Sequence, residues 1–367
     1  MRLIPVNKIK EGSILAKNIY DNRNTFLLKK GAVLNNHLIK KLTVNGIYYV
    51  YIEDEFSDNE LKDVISPEIR KKAVDSIKET FTYFNQFNEY KENCQYSMNE
   101  RSFIKKRNEH LENLTEISKE LINDISKKEN LVISLVDIKN YDDYTYQHCI
   151  NVAVLSMVAG IELNLSNKDL KNLSLGAMLH DIGKTFIPKE ILNKDGKLSD
   201  EEFDIMRKHS LLGYKYLKDC SWLSSAVKII ALQHHEKVNG SGYPKGLKGK
   251  DIYKLAKIVS VADVYDALTS NRPYRKPIAP NEALEYLYAN GGEHFDYDIV
   301  KTFSKKIIPY PVGSLVTLSN GETAVVKKVT KEFSLRPIIT ILSKSKKRTV
   351  NLIKEKNLVI TGLSHNL

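Results

Sequence analysis

The chain has 367 residues and a mass of 42.0 kDa, long enough for two or three domains with one sizeable core. Its 42% hydrophobic and 28% charged residues suit a globular protein, and no run approaches the ~20 apolar residues of a membrane span. A net charge of +11 favours anionic partners, and three widely separated cysteines (Cys94, Cys149, Cys220) argue against a disulfide framework and for a reducing compartment.

The opening "MRLIPVNKIKEG" holds no apolar signal-peptide core, so a cytoplasmic location is expected. Residues 1–55 mix β-like runs ("SILAKNIY", "YYVYI") with one short helical segment ("NNHLIKKL") and predict a small α+β module. His37 falls in that helix as a surface residue. Residues 56–128 are polar and rich in Lys and Glu. Leu111, Leu114, Ile117, Leu121, Ile122 and Ile125 recur there at helical spacing. A helical linker is expected, interrupted near "NCQYSMNERS", whose stripe either packs on its own domain or pairs two copies into a homodimer through 103–128.

Residues 129–308 run helix after helix, so the fold class is mainly α. Ser199 followed by Glu202 predicts a capping box at one helix start. From 309 to 367 the pattern turns to strands, with Asn320-Gly321 between alternating runs as a hairpin signal, predicting a small β module. The basic cluster "KSKKR" at 344–348 has no interleaved aromatics to stack bases, which argues against nucleic acid as a partner.

Five of the nine histidines (His148, His180, His209, His234, His235) lie in the helical region, with Asp181 beside one and Asp263 downstream. Imidazoles together with carboxylates suit zinc, iron, manganese or nickel better than calcium. Adjacent helical residues diverge by about 100°. His180 and Asp181 therefore share one small target only if the helix ends there, which Gly183 permits. Alternatively the carboxylate bridges two ions while His180 binds one, an arrangement suited to phosphate-ester hydrolysis.

"LHDIGK" with His148 upstream, "RKHSLLGYKYL", "QHHEKVNGSGYP" and "VADVYDALTSNRPYR", in this order, resemble the HD-GYP family of metal-dependent phosphodiesterases, a branch of the HD superfamily. The resemblance spans about 139–303 and implies an all-helical HD-type core. It implies that His148, His180, Asp181 and Asp263 hold one metal, and that Asp181 bridges to a second held by His209, His234 and His235. Lys184, Arg272, Arg275 and Tyr243 would meet substrate, with Asp181 and Lys184 catalytic. Two divalent ions, Fe or Mn, are implied as cofactors. The implied reaction is hydrolysis of cyclic di-GMP to pGpG, or onward to GMP. A relative such as 3′,3′-cyclic GMP-AMP is an alternative substrate, and a non-catalytic cyclic-dinucleotide sensor the rival from another class. Two departures stand out. Asn239 occupies a position where members often have Asp. Tyr144 occupies the place of the Glu that three-metal members use, which points to two ions and leaves Asp266 a supporting or water-binding role.

Overall fold

The computed structural model describes residues 2–20, 26–45, 47, 49–53, 64–92, 100–127, 144–194, 196–270, 278–342 and 348–364. Strand β1 (Arg2–Pro5), β2 (Ile19–Tyr20), β3 (Phe26–Leu28), helix α1 (Asn36–Val44) and β4 (Tyr49–Ile52) make the N-terminal part. β1 pairs antiparallel with β4, Arg2 opposite Ile52, and β2 pairs with β3. The Asn35 side chain caps α1 by accepting from Leu38 N–H. Leu15, Leu34, Leu42, Ile47 and Val50 form a small core of their own there. His37 is exposed on α1.

Helices α2 (Pro67–Glu92) and α3 (Glu100–Ser126) lie antiparallel. Their polar contacts pair early with late residues in steady descent: Ser66 with Asp124, Lys72 with Glu120, Ser76 with Asn113, Tyr83 with Phe103. The stripe Leu111, Leu114, Ile117, Leu121 and Ile125 is buried in the same hydrophobic cluster as the helices that follow. Of the two expectations for this stripe, packing on its own domain is the one the structure shows. It also makes α2 and α3 part of the helical core instead of a linker beside it.

The core continues with α4 (Tyr144–Glu162), α5 (Asn167–Leu179), the short α6 (Lys189–Leu192), α7 (Asp200–Lys218), α8 (Ser225–Gln233), α9 (Lys254–Thr269), α10 (Pro280–Ala289) and α11 (Tyr297–Ser304). Side-chain caps start four of these: Ser166 on α5, Ser199 on α7, Ser224 on α8 and Asp296 on α11. Ser199 and Glu202 form the reciprocal box that their spacing predicts. Helix α4 is apolar all round ("CINVAVLSMVAG"), and every residue from Gln147 to Gly160 is buried, so it runs through the middle of the bundle. A polar side chain on such a helix needs a partner, and His148 and Asn151 are two of them. Cys149 and Cys220 are buried thiols, while Cys94 lies outside the described residues.

Five strands close the chain: β5 (Leu315–Leu318), β6 (Thr323–Lys328), β7 (Ile338–Ile341), β8 (Arg348–Asn351) and β9 (Ile360–Leu363). They form one antiparallel sheet in the order β8-β7-β6-β5-β9, over a separate core of Val316, Leu318, Val326, Ile339 and Ile341. The Asn320-Gly321 turn joins β5 to β6, with Thr317 opposite Thr323. The mainly α class with small mixed and β parts at its ends is therefore the observed one. Most of the basic cluster at 344–348 lies outside the described residues. Among the described residues no helix is long and apolar enough to cross a membrane.

Candidate metal centre

His180 and Asp181 sit where α5 stops. The helix ends at Leu179, His180 caps it, and Asp181 opens a 3-10 turn over Ile182–Phe186. Gly183 serves a purpose beyond ending the helix. A Cβ there would lie 1.9 Å from the His209 carbonyl oxygen and 2.6 Å from Gly213 N, so only glycine lets the turn press against α7. That contact brings His209 of α7 to the pair. His234 caps α8, His235 follows it, α4 contributes His148 and α9 Asp263.

The structure brings all seven predicted residues together in two groups. The donor atoms of Asp181, His209, His234 and His235 lie within 4.8 Å of one another, and so do those of His148, His180 and Asp263. Asp181 belongs to both surroundings. Its Oδ1 is 3.5 Å from His209 Nε2 and 3.9 Å from His234 Nε2. Its Oδ2 is 3.4 Å from His180 Nε2 and 3.9 Å from His148 Nε2. Six of the seven are buried, and only His235 is partly open.

Hydrogen bonds on the far side of the rings decide which nitrogens face inward. Nδ1 of His180, His209 and His234 donates to the carbonyl three residues earlier, on Ala177, Met206 and Ala231, at 2.6, 2.8 and 2.9 Å. A carbonyl only accepts, so each Nδ1 carries the proton and each Nε2 turns a lone pair to the centre. His209 Nε2 and His234 Nε2 are 3.3 Å apart. Two facing lone pairs at that distance repel unless an electrophile serves both. His180 Nε2 and Asp181 Oδ1 are buried with no hydrogen-bond partner. Desolvated acceptors of this kind are costly. A divalent ion satisfies them, and the donor set fits one.

Protonation supports the same reading. Burial pushes His209 down to about 4 and His235 to about 3, and takes His234 well below its ordinary value. All three are therefore neutral, ligand-competent imidazoles near neutral pH. Burial works against ionising Asp181, but Lys184 and His180 outweigh it and hold the carboxyl well below the usual range. Burial also lowers His148, yet its hydrogen bonds with Asp263 and Asp266 prevail and hold it at about 9. Its Nε2 lies 3.1 Å from Asp263 Oδ1, where a proton stands in for a bound cation.

Lys184 Nζ pairs with Asp181 Oδ2 at 2.5 Å, about a quarter of its side chain open to solvent. Tyr243 packs against His235 with ring centroids 4.7 Å apart. Its loop is held by close backbone approach at Gly242, where a Cβ would meet Lys237 N at 2.3 Å. Glu236, unremarked in the sequence, is buried and accepts from Lys245 N–H and Leu247 N–H at 2.8 and 2.9 Å, tying both ends of the loop. Its only sequence signal is adjacency to the histidine pair. Asn239 accepts from Ser241 N–H at 2.9 Å and donates to Glu293 at 3.3 Å. Arg207, also missed, places its guanidinium 5.6 Å from the Tyr243 ring centroid. Asp266 accepts from His148 Nδ1 at 2.6 Å and from Asn151 and Ser270 at 3.0 Å each, the supporting role expected of it. Arg272, Arg275 and the Tyr144 side chain lie outside the described residues.

The chain is 41% identical over 211 residues to a cyclic di-GMP phosphodiesterase of Pseudomonas aeruginosa, covering 56% of this chain and 51% of that protein. It is 39% identical over 157 residues to a 3′3′-cGAMP-specific phosphodiesterase of Vibrio cholerae, covering 43% of this chain and 36% of that one. The chain thus spans about half the length, or less, of these curated relatives. The solved structure of Bd1817, an HDG"Y"P protein from Bdellovibrio bacteriovorus, matches with a TM-score of 0.51 at 22% identity, over 82% of this chain and 97% of that one, a likeness of fold. The family model described as HD domain matches residues 99–299, more than half of the chain, and this chain belongs to the HD domain family.

Proposed function

We propose that this chain is a metal-dependent phosphodiesterase that hydrolyses cyclic di-GMP to pGpG. The observation that carries the proposal is Asp181, whose two oxygens face two separate groups of donors. That arrangement suits a pair of ions bridged by one carboxylate. His148, His180 and Asp263 would hold one ion with Asp181, and His209, His234 and His235 the other. Iron or manganese suits this histidine-rich set. Ions held there would supply Lewis acidity, making water nucleophilic near neutral pH and offsetting charge on the phosphoryl oxygens.

The chain's own residues do the rest. Asp181 keeps the two donor groups in register. Lys184 stands between that carboxylate and solvent, where its ammonium meets a non-bridging phosphate oxygen. Tyr243 packs against the partly open His235 and Arg207 lies by the Tyr243 ring, and with Arg272 and Arg275 they would hold the rest of the anionic dinucleotide, Arg by bidentate bonds. Water adds to phosphorus, the bond to the 3′ oxygen breaks, and that oxygen takes up a proton. One cleavage opens the ring to the linear product, and a second would release GMP.

The names of the relatives support cyclic dinucleotides as the substrate class and favour cyclic di-GMP, with 3′3′-cGAMP as the second reading. The test is incubation of anaerobically purified, metal-analysed protein with each compound, followed by chromatography of the products. Faster conversion of cyclic di-GMP to pGpG is expected. Faster cGAMP cleavage would move the specificity to the second reading. Tight binding without turnover in the metal-loaded protein would make the chain a sensor.

A further inference from the structure

We propose that Arg70 is a positioning residue of the metal centre, acting on His148 through Asn151 and Asp266 from a helix that lies outside the family-matched stretch. The inference rests on the reading of the centre as a metal site. Arg70 is on α2, before residue 99 where the HD domain match begins. It is 7% exposed, an unusual place for a permanent cation.

Its Nη1 donates to Asn151 Oδ1 at 2.9 Å. Asn151 Nδ2 donates to Asp266 Oδ1 at 3.0 Å. The other oxygen of Asp266 accepts from His148 Nδ1 at 2.6 Å. All four residues are buried. The chemistry leaves the Asn151 amide one orientation, since a guanidinium only donates and an ionised carboxylate only accepts. Arg70 therefore polarises the amide that steadies Asp266, and Asp266 fixes the ring and tautomer of His148. Partners one shell beyond a metal ligand commonly set 10- to 100-fold in affinity. Without Arg70 the Asn151 oxygen loses this donor, and the amide holds Asp266 Oδ1, which also accepts from Ser270 at 3.0 Å, less firmly.

The alternative is that Arg70 only ties α2 to α4, which would affect folding and leave the centre alone. The two are separated by titrating metal-stripped protein with Co²⁺, followed by its visible absorption, alongside thermal melting of the metal-free protein. Arg70→Met and Asn151→Leu are compared in the unmodified and Asp266→Asn backgrounds, with Lys72→Ala, a surface change on the same helix, as the control. The expected result is that each of the first two weakens cobalt binding by about 10-fold or more, that Asp266→Asn largely removes this effect, and that Lys72→Ala changes nothing. Lower melting temperature with unchanged cobalt affinity would overturn the inference. So would an equal fold-loss in the Asp266→Asn background. If Arg70→Met does not fold, Asn151→Leu decides by the same criteria. Failure of the unmodified protein to bind cobalt at all would instead sink the metal reading on which the inference stands.

Discussion

Asp181 has more demanded of it than any other side chain in the centre, being 1% exposed and facing donors on both sides. Asp181→Ala is expected to lower metal content and to cut turnover by more than ~100-fold, since a shared ligand should exceed the effect of a residue one shell out. Two retained ions with near-normal turnover would show the assignment wrong, by metal analysis and steady-state kinetics. Lys184 has a separable role. It pairs with Asp181 Oδ2 and is not one of the seven donors, so Lys184→Ala should keep the metals and slow turnover by about 10²–10³, the range for losing one charge-stabilising donor. Unchanged kinetics would leave it a structural ion pair. Asn239 shows how a departure from a motif can be local. Its amide donates to the Glu293 carboxylate, where aspartate would set two negative charges together.

At the scale of elements, the centre depends on how closely the 3-10 turn after α5 approaches α7. The two glycines at that crossing are not equivalent. A Cβ on Gly183 would collide with the His209 carbonyl at 1.9 Å, whereas one on Gly213 would come no closer than 3.1 Å to Gly183 N. Gly183→Ala should therefore destabilise the metal-free protein by about 1–3 kcal/mol or more and reduce metal binding, because the colliding atom belongs to a ligand's own backbone. Gly213→Ala should be clearly milder in both. Thermal denaturation with metal analysis ranks them, and the reverse order would refute the packing argument. The elements also decide between two readings that the sequence left open. A single apolar stripe on α3 suits a partner helix in another copy as well as one in the same chain, and periodicity alone does not distinguish them. The closing of α2 and the later helices over Leu114 and Ile117 settled it.

For the molecule as a whole, the donor inventory predicts metal preference. Five imidazoles and two carboxylates converge, and magnesium prefers oxygen ligands and retained water. Stripped protein should regain activity with iron or manganese and little with magnesium. Full activity with magnesium alone would contradict a histidine-rich centre. The three hydrophobic clusters divide the labour. Among the described residues the donors come from the helices of the largest, and the small cores at the two ends contribute none.

The donor residues themselves were legible from one dimension. His180-Asp181, the histidine pair 234–235, and His148, His209 and Asp263 stood out as a cluster of histidines with two carboxylates, and their division into two sets followed from the resemblance to the HD-GYP family. The capping box at Ser199 and the hairpin at Asn320-Gly321 were legible because their chemistry is satisfied within a few residues. What the linear order left open was anything that depends on residues far apart meeting. Gly183 looked like a helix end and proved to be a crossing point, because its constraint comes from α7. Glu236 carried no signal beyond its place next to the histidine pair and Arg207 none, since their partners are a loop and a ring. Arg70 sits 78 positions before His148 in a polar stretch, and only the packing of α2 against α4 joins them. Local hydrogen bonding and amphipathic pattern are written along the chain, whereas burial and the direction of a lone pair arise only when helices close over one another.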